Sequence, residues 1–246
     1  MIQKIKQLKI SSYKNIVVLT GAGISVASGL RTYRGPNGMW EEGDTARVSH
    51  VDILLTEPEL VWKFFGPLKQ QILSSQPNPA HMALAKLEEK LSDDQKLTLV
   101  TQNIDGLHTR AGNLDVLEMH GSLMRTRCSN NECKLKSFAD ETVYTVKPSC
   151  PECGNMLRPD IVFFGEEIPL DALWRIKMAL RSVDLFIAIG TSGTVSPAAG
   201  FVSSAKYVGA STILVNLEDM DPPNSAFDEE ILGRAEETLP QLLTCN

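Results

Sequence analysis

Four short apolar runs separated by helix-like stretches constrain this chain more than any other feature. The runs are residues 16–20 (IVVLT), 97–101 (LTLVT), 185–190 (LFIAIG) and 212–216 (TILVN). A continuous apolar run of this length reads as a strand buried on both faces. Apolar residues near helical spacing mark residues 58–73, 79–91, 170–182 and 198–208 as helices, the second opening on a proline after Asn78. Strands that alternate with helices predict an α/β fold with a parallel sheet covered on both faces. The chain has 246 residues and is 43% apolar, enough for one large domain with a small insert and a core that needs no disulfide. Residues 124–158 break the rhythm: they are polar and bear cysteines. Residues 30–79 are rich in Gly, Pro and charge and carry two candidate helices.

Four of the five cysteines fall in two close pairs, Cys128 with Cys133 and Cys150 with Cys153. Nothing in the first ten residues, MIQKIKQLKI, forms a continuous hydrophobic segment, so no secretory signal is expected. In a reducing compartment close cysteine pairs point to metal rather than disulfides. Two pairs complete a tetrahedral thiolate site, and a closed four-sulfur shell leaves no position for water or substrate. The expectation is a structural Zn2+ ion stapling residues 124–158. Cys245 stands apart near the end of the chain.

Gly21-Ala22-Gly23-Ile24-Ser25 follows the first strand, where glycines let a backbone approach a pyrophosphate and a helix start offers N–H donors. The full dinucleotide fingerprint wants a glycine where Val26 stands. By itself the loop is either a phosphate cradle or a tight strand–helix turn. His120 follows the apolar segment 116–119 and is either a structural histidine or a general base. Asn103 and Asp105 follow the second strand, on the edge where open α/β sheets bind ligands; loop capping is the other reading. Net charge is −6 with Lys and Arg scattered, so no direct nucleic-acid contact is expected. No apolar run nears the ~20 residues of a membrane helix, and the expected location is cytoplasmic.

Taken together these motifs resemble the sirtuin family of NAD-dependent protein-lysine deacylases. The matching pieces are GAGIS (21–25), Tyr33-Arg34-Gly35, Gly38-Met39-Trp40, TQNIDGLH (101–108), Ala111-Gly112, MHGS (119–122), the cysteine pairs, Phe164-Gly165-Glu166, GTSGTVSPAAG (190–200) and Asn216-Leu217-Glu218. The resemblance implies a Rossmann-like large part, about 1–29, 80–123 and 159–246. It also implies a small domain made of the helical insert, about 30–79, and the zinc module, about 124–158. NAD is the implied co-substrate, held by Gly21, Ala22, Gly23, Ser25, Tyr33, Arg34, Trp40, Gln102, Asn103, Ile104, Asp105, Gly190, Thr191, Ser192, Asn216, Leu217, Glu218 and Ala235. Acyl-lysine proteins or peptides are the implied partners, with Val162, Phe163, Phe164 and Gly165 on the lysine side. His120, aided by Asn103 and Asp105, carries the catalysis: nicotinamide leaves, His120 takes a proton from a ribose hydroxyl, and the acyl group passes to ADP-ribose.

The resemblance is closest to the bacterial branch related to desuccinylating sirtuins, which grips an acidic acyl group with a Tyr and an Arg three residues apart. Spacing puts Phe65 and Leu68 at those positions. A succinyl carboxylate there would have no guanidinium partner, so acetyl or longer uncharged acyl groups are the expected substrates. Tyr33 stands where the family often has Phe, and Ser196 where the close branch often has Tyr. Two other functions use the same parts: ADP-ribosyl transfer or NAD hydrolysis, and a non-catalytic NAD-sensing module. The retained His120 argues against the first, and the intact Asn103 and Asp105 against the second.

Overall fold

The computed structural model describes residues 5–33, 38–41, 43–220 and 222–244. Six strands form the main sheet: β1 (Asn15–Thr20), β2 (Lys96–Thr101), β3 (Val116–Glu118), β7 (Leu185–Ile189), β8 (Ser211–Asn216) and β9 (Glu229–Leu232). Their order is β3-β2-β1-β7-β8-β9 and every pairing is parallel. This is the doubly wound order, whose direction reverses between β1 and β7.

Alternate residues of each central strand feed opposite faces. Ile16, Val18, Leu185, Ile187, Ile213 and Val215 meet α4 (Pro79–Lys90) and α8 (Ala235–Leu242) through Leu84, Leu87, Leu239 and Leu242. Val17, Leu19, Phe186, Ala188 and Leu214 meet α6 (Leu170–Leu180) and α7 (Phe201–Tyr207) through Ile176, Leu180, Phe201 and Ala205. The four apolar runs are therefore strands because both sides are packed. At the start of α4, Asn78 accepts from the Ala80 N–H at 2.9 Å while His81 accepts from the Asn78 N–H at 3.3 Å, a closed capping box.

Two helical expectations are modified. The segment after β1 is a 3-10 helix, Ala22–Ser28, ended by Gly29 at φ 87°. Its first N–H groups turn outward: Gly21 donates to Ile189 and Gly23 to Gly190, both at 2.9 Å. The expected helix at 198–208 starts as a 3-10 turn, Ala198–Gly200, before α7.

A second sheet has three strands, in the order β5 (Phe138–Ala139), β4 (Gly121–Cys128), β6 (Leu157–Ile161). β4 pairs antiparallel with both neighbours. Before them in the chain lie α1 (Thr45–Val48), α2 (Ile53–Thr56) and α3 (Pro58–Ser74), and the short α5 (Leu107–Ala111) follows β2. One small core joins Val61, Phe65 and Ile72 of α3 to Leu123, Ile161 and Phe163, and a second joins Trp62 to Cys128, Cys150 and Leu157. Among the described residues no helix is long and apolar enough to cross a membrane.

Candidate active site

The carboxyl ends of the parallel strands carry Gly21 to Ser25, Gln102 to Asp105, His120, Gly190 to Ser192 and Asn216 to Glu218. At the switch point the loops after β1 and β7 press together: a Cβ at Gly21 would lie 2.6 Å from the Gly190 carbonyl oxygen, and one at Gly23 would lie 2.7 Å from the Gly190 Cα. Gly190 itself has φ 60°. The glycines thus let two loops approach each other, a stronger demand than a ligand alone would make. Beside them, Gln102 Nε2 donates to the Thr191 hydroxyl at 3.0 Å, and Asn216 Nδ2 donates to the Thr191 carbonyl at 3.0 Å. Ser192 is exposed next to this pair, and Leu217 and Glu218 are exposed after β8. Gly233 donates to the Asn216 carbonyl at 2.8 Å, so Ala235 opens α8 on the same edge, its side chain in the core.

Behind the first loop is a buried polar network. Asn103 Nδ2 reaches the Gly21 carbonyl and the Ser25 hydroxyl, each at 3.2 Å. Ser25 donates to Asp105 Oδ2 at 2.7 Å, and the Leu107 N–H donates to Asp105 Oδ1 at 2.9 Å. Burial pushes the Asp105 carboxyl above its ordinary range, against these two hydrogen bonds. His81 Nε2 lies 3.5 Å from the Ser25 oxygen, and His108 Nε2 lies 2.9 Å from the Thr20 hydroxyl. Sequence reasoning missed this layer of Thr20, His81, Thr101 and His108, although Thr101 and His108 are the two ends of the TQNIDGLH stretch.

His120 stands where β3 gives way to β4. Its Nδ1 is 2.9 Å from the Gln102 carbonyl oxygen. A carbonyl only accepts, so Nδ1 carries the proton and Nε2 keeps a lone pair. Burial lowers the His120 pKa despite that bond, which leaves the ring neutral near pH 7. The Val162 N–H donates to the His120 carbonyl at 2.9 Å, tying the histidine to the segment after β6. On its other side that segment meets the helical insert: the Phe164 N–H donates to Ser49 and the Val51 N–H to Phe164, both at 2.9 Å.

Tyr33, Trp40 and Phe164 form an aromatic cluster, with ring centroids 5.0 to 6.1 Å apart, and the Tyr33 hydroxyl bonds Ser49. Arg34 and Gly35 lie outside the described residues, as does Cys245. Phe65 is buried with its ring 5.7 Å from Phe163, and Leu68 and Ile104 pack against the same core.

The four cysteines converge: their Sγ atoms all lie within 4.8 Å of one another, with Cys128–Cys153 at 3.5 Å and Cys133–Cys150 at 3.7 Å. A zinc–sulfur distance of about 2.3 Å implies tetrahedron edges of about 3.8 Å. Backbone N–H groups of Asn130 and Leu135 approach Cys128 and Cys133 at 3.4 and 3.5 Å. Hydrogen bonds from Asn155 bring the Cys153 thiol down to about 6. The donor set fits a closed structural zinc site.

With this geometry in hand, the comparisons agree with one another. A family model described as the Sir2 family matches residues 21–197. An NAD-dependent protein deacylase of Shewanella oneidensis is 46% identical over 235 residues, 94% of this chain and 93% of that protein. A mutant Sir2 homologue solved in complex with ADP ribose superposes with a TM-score of 0.88 at 36% identity, covering 95% of this chain and 92% of that one. A Sir2 structure with a deacetylated p53 peptide and 3'-O-acetyl ADP ribose gives a TM-score of 0.81 at 32% identity, covering 94% and 93%.

Proposed function

Because the chain belongs to the Sir2 family, we propose that it works as an NAD-dependent protein-lysine deacylase that moves an acyl group to ADP-ribose and releases nicotinamide. The observation that carries the reading is the neutral His120 ring, whose Nδ1 is committed to the Gln102 carbonyl at 2.9 Å. Its Nε2 is then the only ring atom able to take a proton.

NAD, when bound, supplies a weakened C–N bond and an electrophilic ribose carbon. The residues do the rest. Gly21, Ala22, Gly23, Gly190, Thr191 and Ser192 bind phosphate and ribose at the switch point. Asn216, Leu217, Glu218 and the backbone at Ala235 hold the adenosine end. Ser25, Gln102, Asn103, Ile104 and Asp105 orient the nicotinamide end, to which Tyr33, Arg34 and Trp40 are also assigned. Once the acyl-lysine carbonyl oxygen has displaced nicotinamide at the ribose carbon, His120 removes a ribose hydroxyl proton, the freed oxygen attacks the acyl carbon, and water completes the release of free lysine and O-acyl-ADP-ribose. Val162, Phe163, Phe164 and Gly165 pair with the acyl-lysine segment. The large part carries NAD, the helical insert and zinc module frame the substrate, and the zinc of Cys128, Cys133, Cys150 and Cys153 is structural. The setting is the cytoplasm.

The acyl pocket is apolar. Phe65 and Leu68 belong to a hydrophobic cluster with Leu107, Ile161 and Phe163. The next residue, Lys69, does not restore a cation: it is buried on the adjacent stripe of α3, with Nζ 3.9 Å from Asp140. Acetyl and longer uncharged groups are the substrates this pocket favours.

The test is nicotinamide release over acetyl, butyryl, myristoyl and succinyl peptides, with His120→Ala alongside. The expected result is acyl-dependent release, slowest with succinyl, and a loss of about 10²-fold or more in the variant at unchanged zinc content. Near-normal turnover of His120→Ala removes the assigned base. Release without any acyl-lysine favours NAD hydrolysis instead.

A further inference from the structure

We propose that Arg158 is a positioning residue for the deacylation reaction: acting through Glu166, it holds the segment 162–165 in register with the acyl-lysine. The proposal rests on the reading of that segment as the acyl-lysine site. Arg158 is 4% exposed, in β6. A guanidinium this deep persists only when its donors are satisfied. Here they are: Nη1 and Nη2 donate to the two Glu166 carboxylate oxygens at 2.6 and 2.7 Å, Nη2 to the Ile161 carbonyl at 2.9 Å and Nε to the Pro159 carbonyl at 3.3 Å. The guanidinium carbon also lies 4.6 Å from the centre of the Phe163 ring.

Glu166 passes this constraint on to the backbone. Its Oε2 accepts the Phe163 N–H at 2.9 Å, and its own N–H donates to the Phe163 carbonyl at 3.0 Å. The turn is closed by Gly165 at φ 88°. Arg158 therefore fixes Phe163 from two directions, by its ring and by its amide. Phe163 in turn touches Phe65, and its neighbours Val162 and Phe164 bond to His120 and to Ser49. No other described cation makes a bidentate contact with this carboxylate; Arg127 reaches it only at 3.8 Å. Lysine cannot replace the fork, because a point charge offers neither the paired bonds nor the stacked plane.

The experiment measures steady-state kinetics of Arg158→Lys and Glu166→Gln with an acetyl-lysine peptide, beside hydrogen exchange of the 161–166 amides without substrate. Loss of one charge-assisted fork should raise the peptide KM about tenfold. The KM for NAD, the kcat at saturating peptide and the zinc content should stay within about twofold. Exchange at Phe163 should quicken in both variants. Glu166→Gln, which keeps an acceptor for the Phe163 N–H, should be the milder change. An unchanged peptide KM in both variants overturns the proposal. So does a parallel rise in the KM for NAD, which would mark a general loss of structure. A wild-type protein that turns over no acyl-peptide overturns the functional reading as well, and is recognised by that control.

Discussion

Phe65 and Leu68 are chemically mute, and that silence is informative. A carboxylate entering a pocket of aromatic and aliphatic carbon gives up its hydration and gains no donor. Phe65 is 4% exposed, and Leu68 packs at the margin of the same cluster. A guanidinium at 68 and a hydroxyl at 65 would supply both missing donors. The double substitution Phe65→Tyr with Leu68→Arg should therefore raise the ratio of succinyl to acetyl turnover by about tenfold or more. It should also lower the melting temperature, since the new cation is half-desolvated until substrate arrives. Competing peptides in one reaction, resolved by mass spectrometry, give the ratio directly. If it does not move, these side chains do not face the acyl chain.

The elements that were easiest to read are those whose burial is symmetrical. β1, β2, β7 and β8 are continuous apolar runs because helices cover both sides of the sheet. β9 escaped notice because Glu229–Leu232 is an edge strand with mostly charged or exposed residues. β4 to β6 escaped because their stability is shared with four sulfurs rather than written as alternation. The segment after β1 is a 3-10 helix rather than the start of an α-helix, and Gly21 and Gly23 spend their N–H groups on the β7 end. The contact between α4 and α5 was also hidden: no local pattern announces that the His81 and His108 rings meet, tilted, with centroids 4.9 Å apart. Burial lowers His81 to about 4 and His108 to about 3, from 6.5 in an unfolded chain. The folded pKa values are depressed, so between pH 6.5 and 4 the unfolded chain binds more protons. Stability contributed by the neutral rings is present above pH 6.5 and falls as pH drops through that window. The limiting slope is about 1.4 kcal/mol per pH unit for each ring. His81→Gln keeps a donor for Ser25 but does not titrate. Urea midpoints at pH 7 and pH 5 should show a shallower acid loss for this variant than for wild type, even if it starts less stable. Parallel losses would place the proton uptake elsewhere.

At the scale of the molecule, α3 joins the four-cysteine site to the proposed acyl pocket. One stripe of the helix sits on the zinc module: Trp62 Nε1 donates to the Leu157 carbonyl at 3.0 Å, and its ring meets Tyr144 at 4.8 Å. One turn on, a Cβ at Gly66 would lie 2.3 Å from the Tyr144 carbonyl oxygen, so the backbones are in close contact there. Lys69 and Asp140 complete the stripe as a buried ion pair at 3.9 Å. The adjacent stripe of Val61, Phe65 and Ile72 packs toward Ile161 and Phe163. The core beneath Trp62 is small, and two of its four fully buried members are Cys128 and Cys150. A core of that size does not hold its shape without a staple, and bound zinc contributes directly to folding. Removing the metal should unseat α3 and lose the substrate pocket, while the six-stranded sheet and its switch-point loops persist on their own larger core. Chelator-treated protein should therefore bind ADP-ribose within about tenfold of the untreated protein, yet lose detectable binding of an acetyl-lysine peptide. Titration calorimetry with each ligand, on samples whose zinc content has been measured, separates the two. Peptide binding that survives at negligible zinc would show that α3 is seated by its own contacts. Simultaneous loss of both ligands would show that the two parts fold as one cooperative unit.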